Sequence, residues 1–288
     1  MAESTGTLTE IYIYPIKSCA GVRLSSVTMT EFGLANDRRW VIVDQDGCFQ
    51  TQRQIPHLVW IEPSITQARM TLRAPSLPEL TIPLAGSDAT VRPATVWRDT
   101  VDAFDMGDDA ARWLDAFLEV PGKHFRLLQF DPRHPRTCDP LWTGTGQRQS
   151  LHPFTDGFGL NVLSQASLDE LNARLSQAGL DEVSALHFRP NLVIDHVPAH
   201  EEDYMARLQF ASPAGLIEIE LVKPCTRCVI PEIDPYTAIR EPLVTAIMAK
   251  YRRNPSMNQA ICFGVNGVLR QGQSLTLEPG TFHYSLKF

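Results

Sequence analysis

Residues 217–228 read IEIELVKPCTRC, and this stretch says more about the fold than any other. Residues 217–222 alternate apolar and charged side chains, which is typical of a half-buried β-strand. Pro224 is expected to end that strand, because proline has no N–H to donate to a neighbouring strand. Cys225 and Cys228 would then lie on an irregular loop, with Arg227 between them. A guanidinium lowers the pKa of a nearby thiol, and the thiolate is the reactive, metal-binding form, so we expect chemistry here first.

Short apolar or alternating runs elsewhere in the chain predict further strands. They are bounded by proline, glycine and aspartate, and an Asp46-Gly47 pair predicts a hairpin turn. The predicted strands cover residues 8–14, 40–44, 57–62, 192–194, 216–222 and 272–277. With only a few helices among them, the pattern indicates a strand-rich α+β protein rather than a regular βαβ series.

Three segments have helical spacing of apolar residues. Residues 108–118 begin with acidic side chains, which the helix dipole favours. The second helix is expected to open with a capping box from Ser167 to Glu170 and to stop at Gly179. The third covers residues 242–251, with a proline at its N-terminal end and Leu243, Ile247 and Tyr251 at helical spacing. Residues 131–159 lack periodicity and predict a long inter-domain crossing or active-site loop.

Composition restricts the class of protein. The 288 residues suffice for roughly two domains. The net charge of -7 argues against a general nucleic-acid-binding surface. No apolar run of about 18 residues predicts a membrane span, and the short, polar N-terminus lacks the apolar stretch of a signal peptide. Six widely spaced cysteines favour reduced thiols, and therefore a cytoplasmic location, over a secreted disulfide framework.

The cysteine pair has several interpretations from the residues alone. A structural zinc site usually needs a second pair of ligands at similar spacing, and none follows Cys228. A thioredoxin-type redox pair should open a helix, which Val229-Ile230-Pro231 does not favour. Two inert buried thiols form the third alternative. The neighbouring proline and arginine favour a metal ligand or nucleophile, without deciding which.

Three segments place cations beside otherwise apolar runs and are candidates for binding an anion. Lys17 and Ser18 follow a strand end, where a lysine, a hydroxyl and free amides could bind phosphate. Arg38 precedes an apolar strand, and its planar fork suits an oxyanion. Arg189 interrupts a second apolar stretch, so it needs either a carboxylate partner or an anionic ligand.

Taken together, these segments resemble the signatures of MOSC proteins. The resemblance rests on four motifs that occur in the same order: residues 14–18 (YPIKS), 36–40 (NDRRW), 188–191 (FRPN) and 222–228 (VKPCTRC). It is closest to the bacterial relatives of the mitochondrial amidoxime-reducing component. It implies a β-barrel N-terminal domain over residues 1–130, packed against a MOSC-type β-barrel domain with a few helices over residues 131–288.

The resemblance also implies a molybdenum cofactor, a molybdopterin that carries the metal, held between the two domains. The second cysteine of the family's loop ligates molybdenum, which here is Cys228, and a soft thiolate suits that metal. Cys225 would lie beside it. The residues implied to contact the pterin and its phosphate are Lys17, Ser18, Arg38, Asp156, Arg189, Asn191, Thr226 and Arg227.

The expected function is a molybdenum cofactor-dependent oxidoreductase that reduces amidoximes, hydroxylamines or N-hydroxylated bases. No cysteine follows Cys262, so no iron–sulfur cluster of its own is expected. Electrons would come from a separate ferredoxin, flavoprotein reductase or cytochrome b5-type protein. Two alternatives are a molybdenum cofactor carrier or sulfur-transfer protein with a persulfide on Cys228, and a zinc-stabilised binding module.

Overall fold

The fold is dominated by strands. A computed structural model describes residues 4–84, 90–145 and 149–287 of the chain. Its strands are β1 Ser4–Ile13, β2 Val22–Leu24, β3 Val27–Thr30, β4 Gly33–Leu34, β5 Trp40–Asp44, β6 Glu62–Ile65, β7 Arg69–Arg73, β8 Leu80–Pro83, β9 Val91–Val96, β10 Asp99–Asp105, β11 Phe125–Phe130, β12 Arg136–Thr137, β13 Leu151–His152, β14 Leu160–Ser164, β15 Leu192–Asp195, β16 Met205–Ser212, β17 Gly215–Thr226, β18 Arg253–Asn254, β19 Ala260–Gln271, β20 Thr276–Leu277 and β21 Gly280–Leu286. Its α-helices are α1 Asp108–Leu118, α2 Pro140–Thr143, α3 Gln165–Gln177 and α4 Leu243–Ala249.

Seven strands form a closed barrel in the order β14-β15-β1-β21-β16-β17-β19, and β14 pairs with β19 to close it. Only the β14–β15 pair is parallel among these neighbours. The alternating side chains of β17 place Ile217, Ile219 and Leu221 in the buried cluster, while the intervening residues face outward. Closure removes the exposed strand edges. The predicted strand-rich α+β class is confirmed.

A second, open half-barrel packs around its own core. It contains a four-stranded sheet in the order β5-β11-β10-β9 and a three-stranded sheet in the order β6-β7-β8. Helix α1 covers this core with Trp113, Leu114 and Leu118, which are all buried. The division of the chain at residue 130 stays a proposal. Strand β1, from the start of the chain, pairs with β15 and β21 inside the closed barrel.

Helices α1, α3 and α4 lie where the sequence predicts three helices, although the bounds of two of them differ. Helix α1 has the predicted bounds. Helix α3 begins earlier than predicted, because Ser164, and not Ser167, is its N-cap. Ser167 instead donates its hydroxyl to the buried Glu202 carboxylate. The third helix, α4, covers Leu243–Ala249 and is shorter than the predicted 242–251; Ile247 is buried, whereas Leu243 is 51% exposed. None of the described helices is long and apolar enough to cross a membrane.

The strand expected over residues 272–277 and onward is interrupted: Gly272, with φ of 98°, opens a turn, and only Thr276–Leu277 of that range forms a strand before β21.

Two other strand predictions are wrong for identifiable reasons. Residues 57–62 form a short 3-10 turn over Pro56–Trp60 before β6 begins, since a proline at the first position favours a turn. Strand β17 continues through Pro224 to Thr226, although proline was expected to end it. The pairing of β17 with β19 shifts on both sides of Pro224, and these irregularities accommodate a residue that cannot donate.

The long segment 131–159 is largely irregular in its described residues, as predicted. The Arg136 side chain joins two parts of this segment to each other and to Asp99. The Arg136 side chain is buried and pairs with Asp99 at 2.8 Å. Its Nη1 donates to the carbonyl oxygens of Pro153 at 3.1 Å and Thr155 at 2.7 Å. The guanidinium therefore fixes the backbone on either side of Phe154, immediately before Asp156.

Glu202 supplies a pH-dependent stability prediction. Burial raises the pKa of this fully buried carboxyl from 4.5 to about 7, against the lowering effect of the Ser167 hydrogen bond. The folded protein therefore keeps this proton to a higher pH than the unfolded chain, and stability falls as pH rises from 4.5 to about 7. We expect Glu202→Gln, which mimics the protonated acid, to stabilise the protein above pH 7 by at most about 3 kcal/mol.

Urea unfolding at pH 5 and pH 8.5 checks this expectation, with Glu201→Gln as the matched control. The gain from Glu202→Gln should be present at pH 8.5 and nearly absent at pH 5. An equal effect of the substitution at both pH values would contradict the account in which the buried, ionised Glu202 carboxylate destabilises the folded protein.

Candidate functional site

One cleft gathers the side chains that the sequence singled out. It has a volume of about 220 Å³ and lies where the ends of β14 and β17 meet the segments around residues 17, 38, 156 and 189. All nine predicted site residues line it: Lys17, Ser18, Arg38, Asp156, Arg189, Asn191, Thr226, Arg227 and Cys228. These residues come from separate segments of the chain, so the fold, and not the local sequence, brings them together.

Lys17 and Asp156 form an ion pair on one wall of this cleft. The Lys17 Nζ lies 2.5 Å from the Asp156 Oδ1 and also donates to the Phe154 carbonyl at 2.8 Å. Trp97 Nε1 donates to the same Asp156 oxygen at 2.9 Å. Partial desolvation raises the pKa of Asp156, whose side chain is 59% exposed, but the charge and hydrogen bond of Lys17 together lower it by more and keep the carboxyl ionised. Burial lowers the pKa of Lys17, while the Asp156 charge opposes that shift.

Arg38 and Arg189 lie over the ring of a buried tyrosine. Their guanidinium carbons are 4.3 and 4.2 Å from the Tyr14 ring centre. Arg38 pairs with Asp37 at 2.6 Å and donates to the Arg189 carbonyl at 3.0 Å. Arg189 donates to the Cys19 carbonyl at 2.7 Å. Burial lowers the pKa of Arg189 to about 10, so it is still a cation at neutral pH.

Ser18 and Arg189 leave hydrogen-bond donors free for a ligand. Ser18 adopts a left-handed backbone conformation with φ of 70°. Within the described ranges, neither its amide nor its hydroxyl has a hydrogen-bond partner. The buried Nη2 of Arg189 likewise has no acceptor there. An unpaired buried donor costs about 1–3 kcal/mol, so this corner suits an anionic ligand that accepts hydrogen bonds.

Arg227 ties the cysteine segment to the barrel. Its Nε donates to the Phe263 carbonyl at 2.7 Å and its Nη1 to the Phe188 carbonyl at 2.8 Å. Its Nη2 donates to Asn161 Oδ1 at 3.2 Å. Three neighbouring strands or loops are thus held by one guanidinium. The side chain lines the cleft, but its hydrogen-bonding groups are directed into the protein.

Asn191 and Thr226 complete the predicted set. Asn191 is buried; its Oδ1 accepts from the Asn161 amide at 3.0 Å and its Nδ2 donates to the Tyr12 carbonyl at 3.1 Å. It therefore joins β1 to β14 beneath the cleft. Thr226 is exposed at the end of β17, opposite Cys262 on β19. The two side chains thus differ: Asn191 is buried and hydrogen-bonded to two strands, whereas Thr226 is exposed.

The two cysteines are unequal in the structure. Cys228 is exposed to the cleft, and its Sγ accepts contacts from Arg53 Nε at 3.4 Å and the Ile230 amide at 3.5 Å. Cys225 lies on β17, half-buried, and not on the loop that was expected. Burial raises the pKa of Cys225 and outweighs the opposing effect of Arg227. The expected activation by Arg227 is therefore not found for Cys225.

Sequence reasoning missed Arg53 and Trp97. Arg53 contacts Cys228, lies 4.7 Å from the Trp97 ring and is 3.9 Å from Asp156 Oδ2. Neither residue belongs to a periodic run or a recognisable motif. Their sequence neighbours give no signal, because Arg53 reaches the cleft, and Trp97 reaches Asp156, through packing between segments far apart in the chain.

A protein-built zinc site does not fit the cysteine pair. Across residues 4–84, 90–145 and 149–287, no three histidine, cysteine, aspartate or glutamate side chains gather closely enough to hold a metal ion. His187, for example, contacts Ser184 and Asp234 and neither cysteine. Structural zinc needs four such ligands. A metal at Cys228 would therefore need most of its ligands from a bound group.

Comparison with known proteins decides the family. A model described as "MOSC N-terminal beta barrel domain" matches residues 5–121, and one described as "MOSC domain" matches residues 149–281. The chain is 32% identical to mitochondrial amidoxime-reducing component 1 of Mus musculus, over 97% of this chain and 80% of that protein. The chain belongs to the MOSC family.

Other relatives of this MOSC protein agree. It is 32% identical to mitochondrial amidoxime-reducing component 1 of Homo sapiens, over 98% of this chain and 82% of that protein. It is 30% identical to mitochondrial amidoxime reducing component 2 of Rattus norvegicus, over 94% and 82% of the two chains. Among solved structures, the YUAD protein from Bacillus subtilis aligns over 99% of this chain and 98% of its own, with 10% identity and a TM-score of 0.39.

The cleft of this MOSC protein fits an anionic cofactor that brings its own metal ligands. The free donors of Ser18 and Arg189 suit a phosphate. The exposed Cys228 thiol offers one soft ligand in the same cleft. The chemistry of these donors therefore agrees with a phosphorylated, metal-carrying pterin.

The Arg227 contacts predict a stability effect that is separate from cofactor binding. We expect Arg227→Gln to lower the free energy of unfolding by about 2–4 kcal/mol, because several partly buried acceptors lose a charged donor. Chemical denaturation of the cofactor-free protein measures this loss. Arg253→Gln is the matched control, since Arg253 is exposed and, among the residues that the structure describes, its side chain donates only to the Gln259 carbonyl. A loss no larger than that of the control would contradict the anchoring role.

Proposed function

We propose that this MOSC protein reduces N-hydroxylated compounds with a bound molybdenum cofactor. One observation carries the proposal: the exposed Cys228 thiol shares a cleft with anion-binding side chains that have free donors. Relatives that align over most of the chain are named amidoxime-reducing components, which supports the choice of substrate. The substrates would be amidoximes, hydroxylamines and N-hydroxylated bases.

In this proposal the cleft residues hold the cofactor by its phosphate and by its metal. Ser18, Arg38 and Arg189 would bind the phosphate, since they combine free donors with fixed positive charge. Cys228 would ligate molybdenum. When bound, the cofactor would supply the two-electron chemistry that removes oxygen from the N–O bond.

The chain itself would orient the bound groups. Lys17 is held by the Phe154 carbonyl and Asp156, so its ammonium has one position, and Asp156 stays ionised beside it. We propose that this pair, with Asn191, Thr226 and Arg227, fixes the pterin side of the cleft. Arg53 Nε would keep its contact with Cys228 Sγ and so restrain the thiolate.

The reaction needs a separate source of electrons. Converting an amidoxime to an amidine and water consumes two electrons and two protons. We propose that a ferredoxin, flavoprotein reductase or cytochrome b5-type protein supplies the electrons. The cytoplasmic location inferred from cysteine usage also stays a proposal, since the relatives are named mitochondrial.

The decisive test compares the two cysteines. Wild type, Cys228→Ser and Cys225→Ser are each loaded with molybdenum cofactor, and metal and pterin contents are measured. We expect Cys228→Ser to lose molybdenum and reduction of benzamidoxime, because the hydroxyl is a poor soft-metal ligand. Cys225→Ser should keep its molybdenum, since Cys225 is the half-buried neighbour.

Equal molybdenum in wild type and Cys228→Ser would sink the ligand assignment. Fully loaded wild type that reduces no N-hydroxylated substrate with an artificial donor would refute the reductase. A sulfane adduct on Cys228 in mass spectra, without molybdenum, would point to the sulfur-transfer alternative.

A further inference from the structure

Lys223 is a cation in the cleft that has no acidic partner among the described residues. Its side chain is half-buried and lines the same cleft as Cys228. Within those residues it makes no ion pair or side-chain hydrogen bond. A partly buried ammonium without a partner is unfavourable, so an anionic ligand at this position would stabilise it.

Two aromatic rings flank this ammonium. Lys223 Nζ lies 5.4 Å from the Trp142 ring centre and 5.8 Å from the Phe158 ring centre. Trp142 belongs to α2, which Arg270 fastens to the barrel by donating to the Thr143 carbonyl at 2.8 Å. Aromatic faces at these distances suit a planar group as well as a cation. This wall therefore combines flat apolar surfaces with one positive charge.

The other cations of the cleft have partners, apart from the free Nη2 of Arg189, whose Nη1 donates to the Cys19 carbonyl. Lys17 is paired with Asp156, and Arg38 with Asp37. Arg227 is directed to backbone carbonyls and to Asn161. Lys223 lies two residues before Cys225 on β17, and both side chains line the cleft. Its charge is thus available close to the cysteine segment. It is separate from the free donors of Ser18 and Arg189, which are the candidates for binding the phosphate.

We infer that the site selects N-hydroxylated substrates that carry an anionic group on a planar ring, and that Lys223 pairs with this group. The inference rests on the proposed reductase function and names its substrate class. A carboxylate and a phosphonate or phosphate share the chemistry that an ammonium between two aromatic rings recognises. Lys223 is thus a specificity-determining residue.

Three benzamidoximes that differ only at the ring position opposite the amidoxime test this inference. They carry a carboxylate, a phosphonate or a neutral carbamoyl group. For cofactor-loaded wild type at low ionic strength, we expect kcat/KM for the two anions to exceed that for the carbamoyl compound about tenfold. The difference should lie in KM and shrink as salt is added, because salt screens the pair. The ratio of kcat/KM for the carboxylate to kcat/KM for the phosphonate shows which anion the site prefers.

Variants assign the effect to Lys223. Lys223→Gln should bring the anion-to-neutral ratio close to one, and Lys223→Arg should restore most of it. Lys250→Gln is the matched control, since Lys250 is exposed and does not line the cleft. Molybdenum content should be unchanged in all three. Calorimetric binding of 4-amidinobenzoate against 4-carbamoylbenzamidine gives the same comparison without turnover.

The outcomes separate this inference from the function on which it rests. Wild type that reduces benzamidoxime with no anion preference would overturn the inference and leave the reductase intact. Loss of molybdenum in Lys223→Gln would also overturn it, since Lys223 would then belong to the cofactor. If no substrate is reduced, the reductase fails, and the calorimetric preference for the carboxylate then decides whether Lys223 binds anions.

Discussion

Concentrated positive charge in one cleft is the constraint on which the rest of the structure depends. Six arginines and lysines line it, in a chain of net charge -7: Lys17, Arg38, Arg53, Arg189, Lys223 and Arg227. Like charges gathered in one cleft repel one another, and removing them from water is costly. The fold offsets this cost with two carboxylates, the Tyr14 ring and several backbone carbonyls. What remains uncompensated is a set of donors suited to an anion.

The barrel makes this arrangement possible because it delivers rigid strand ends to one place. Strands β14, β17 and β19 meet where Arg227 joins Asn161, the cysteine segment and Phe263. Gly264 permits the approach, since its φ is 70° and a Cβ there would lie only 2.7 Å from the Val162 carbonyl oxygen. Arg136 holds the segment before Asp156 in place by donating to the Thr155 carbonyl. The cleft is therefore defined by hydrogen bonds to the backbone more than by loop sequence.

Local sequence patterns predict many of the strands and helices, but they do not predict every residue of the cleft. Alternation indicates the strand before Pro224, and helical spacing indicates α1, because both depend on neighbouring residues. The cap of α3 was misplaced, since Ser164 and Ser167 are equally good candidates locally and only the buried Glu202 distinguishes them. All nine candidate site residues line the cleft, whereas Arg53 and Trp97 were missed. Their positions depend on packing between distant segments, which local sequence does not encode.

Anomalous X-ray scattering at the molybdenum edge, from crystals of the cofactor-loaded protein, tests the central claim most directly. That claim is that an anionic cofactor occupies this cleft, with its metal at Cys228 and its phosphate at the free donors of Ser18 and Arg189. The account predicts one anomalous peak bonded to Cys228 Sγ and phosphate density beside Ser18 and Arg189. A peak at Cys225, or a metal and phosphate bound outside the cleft, would contradict it.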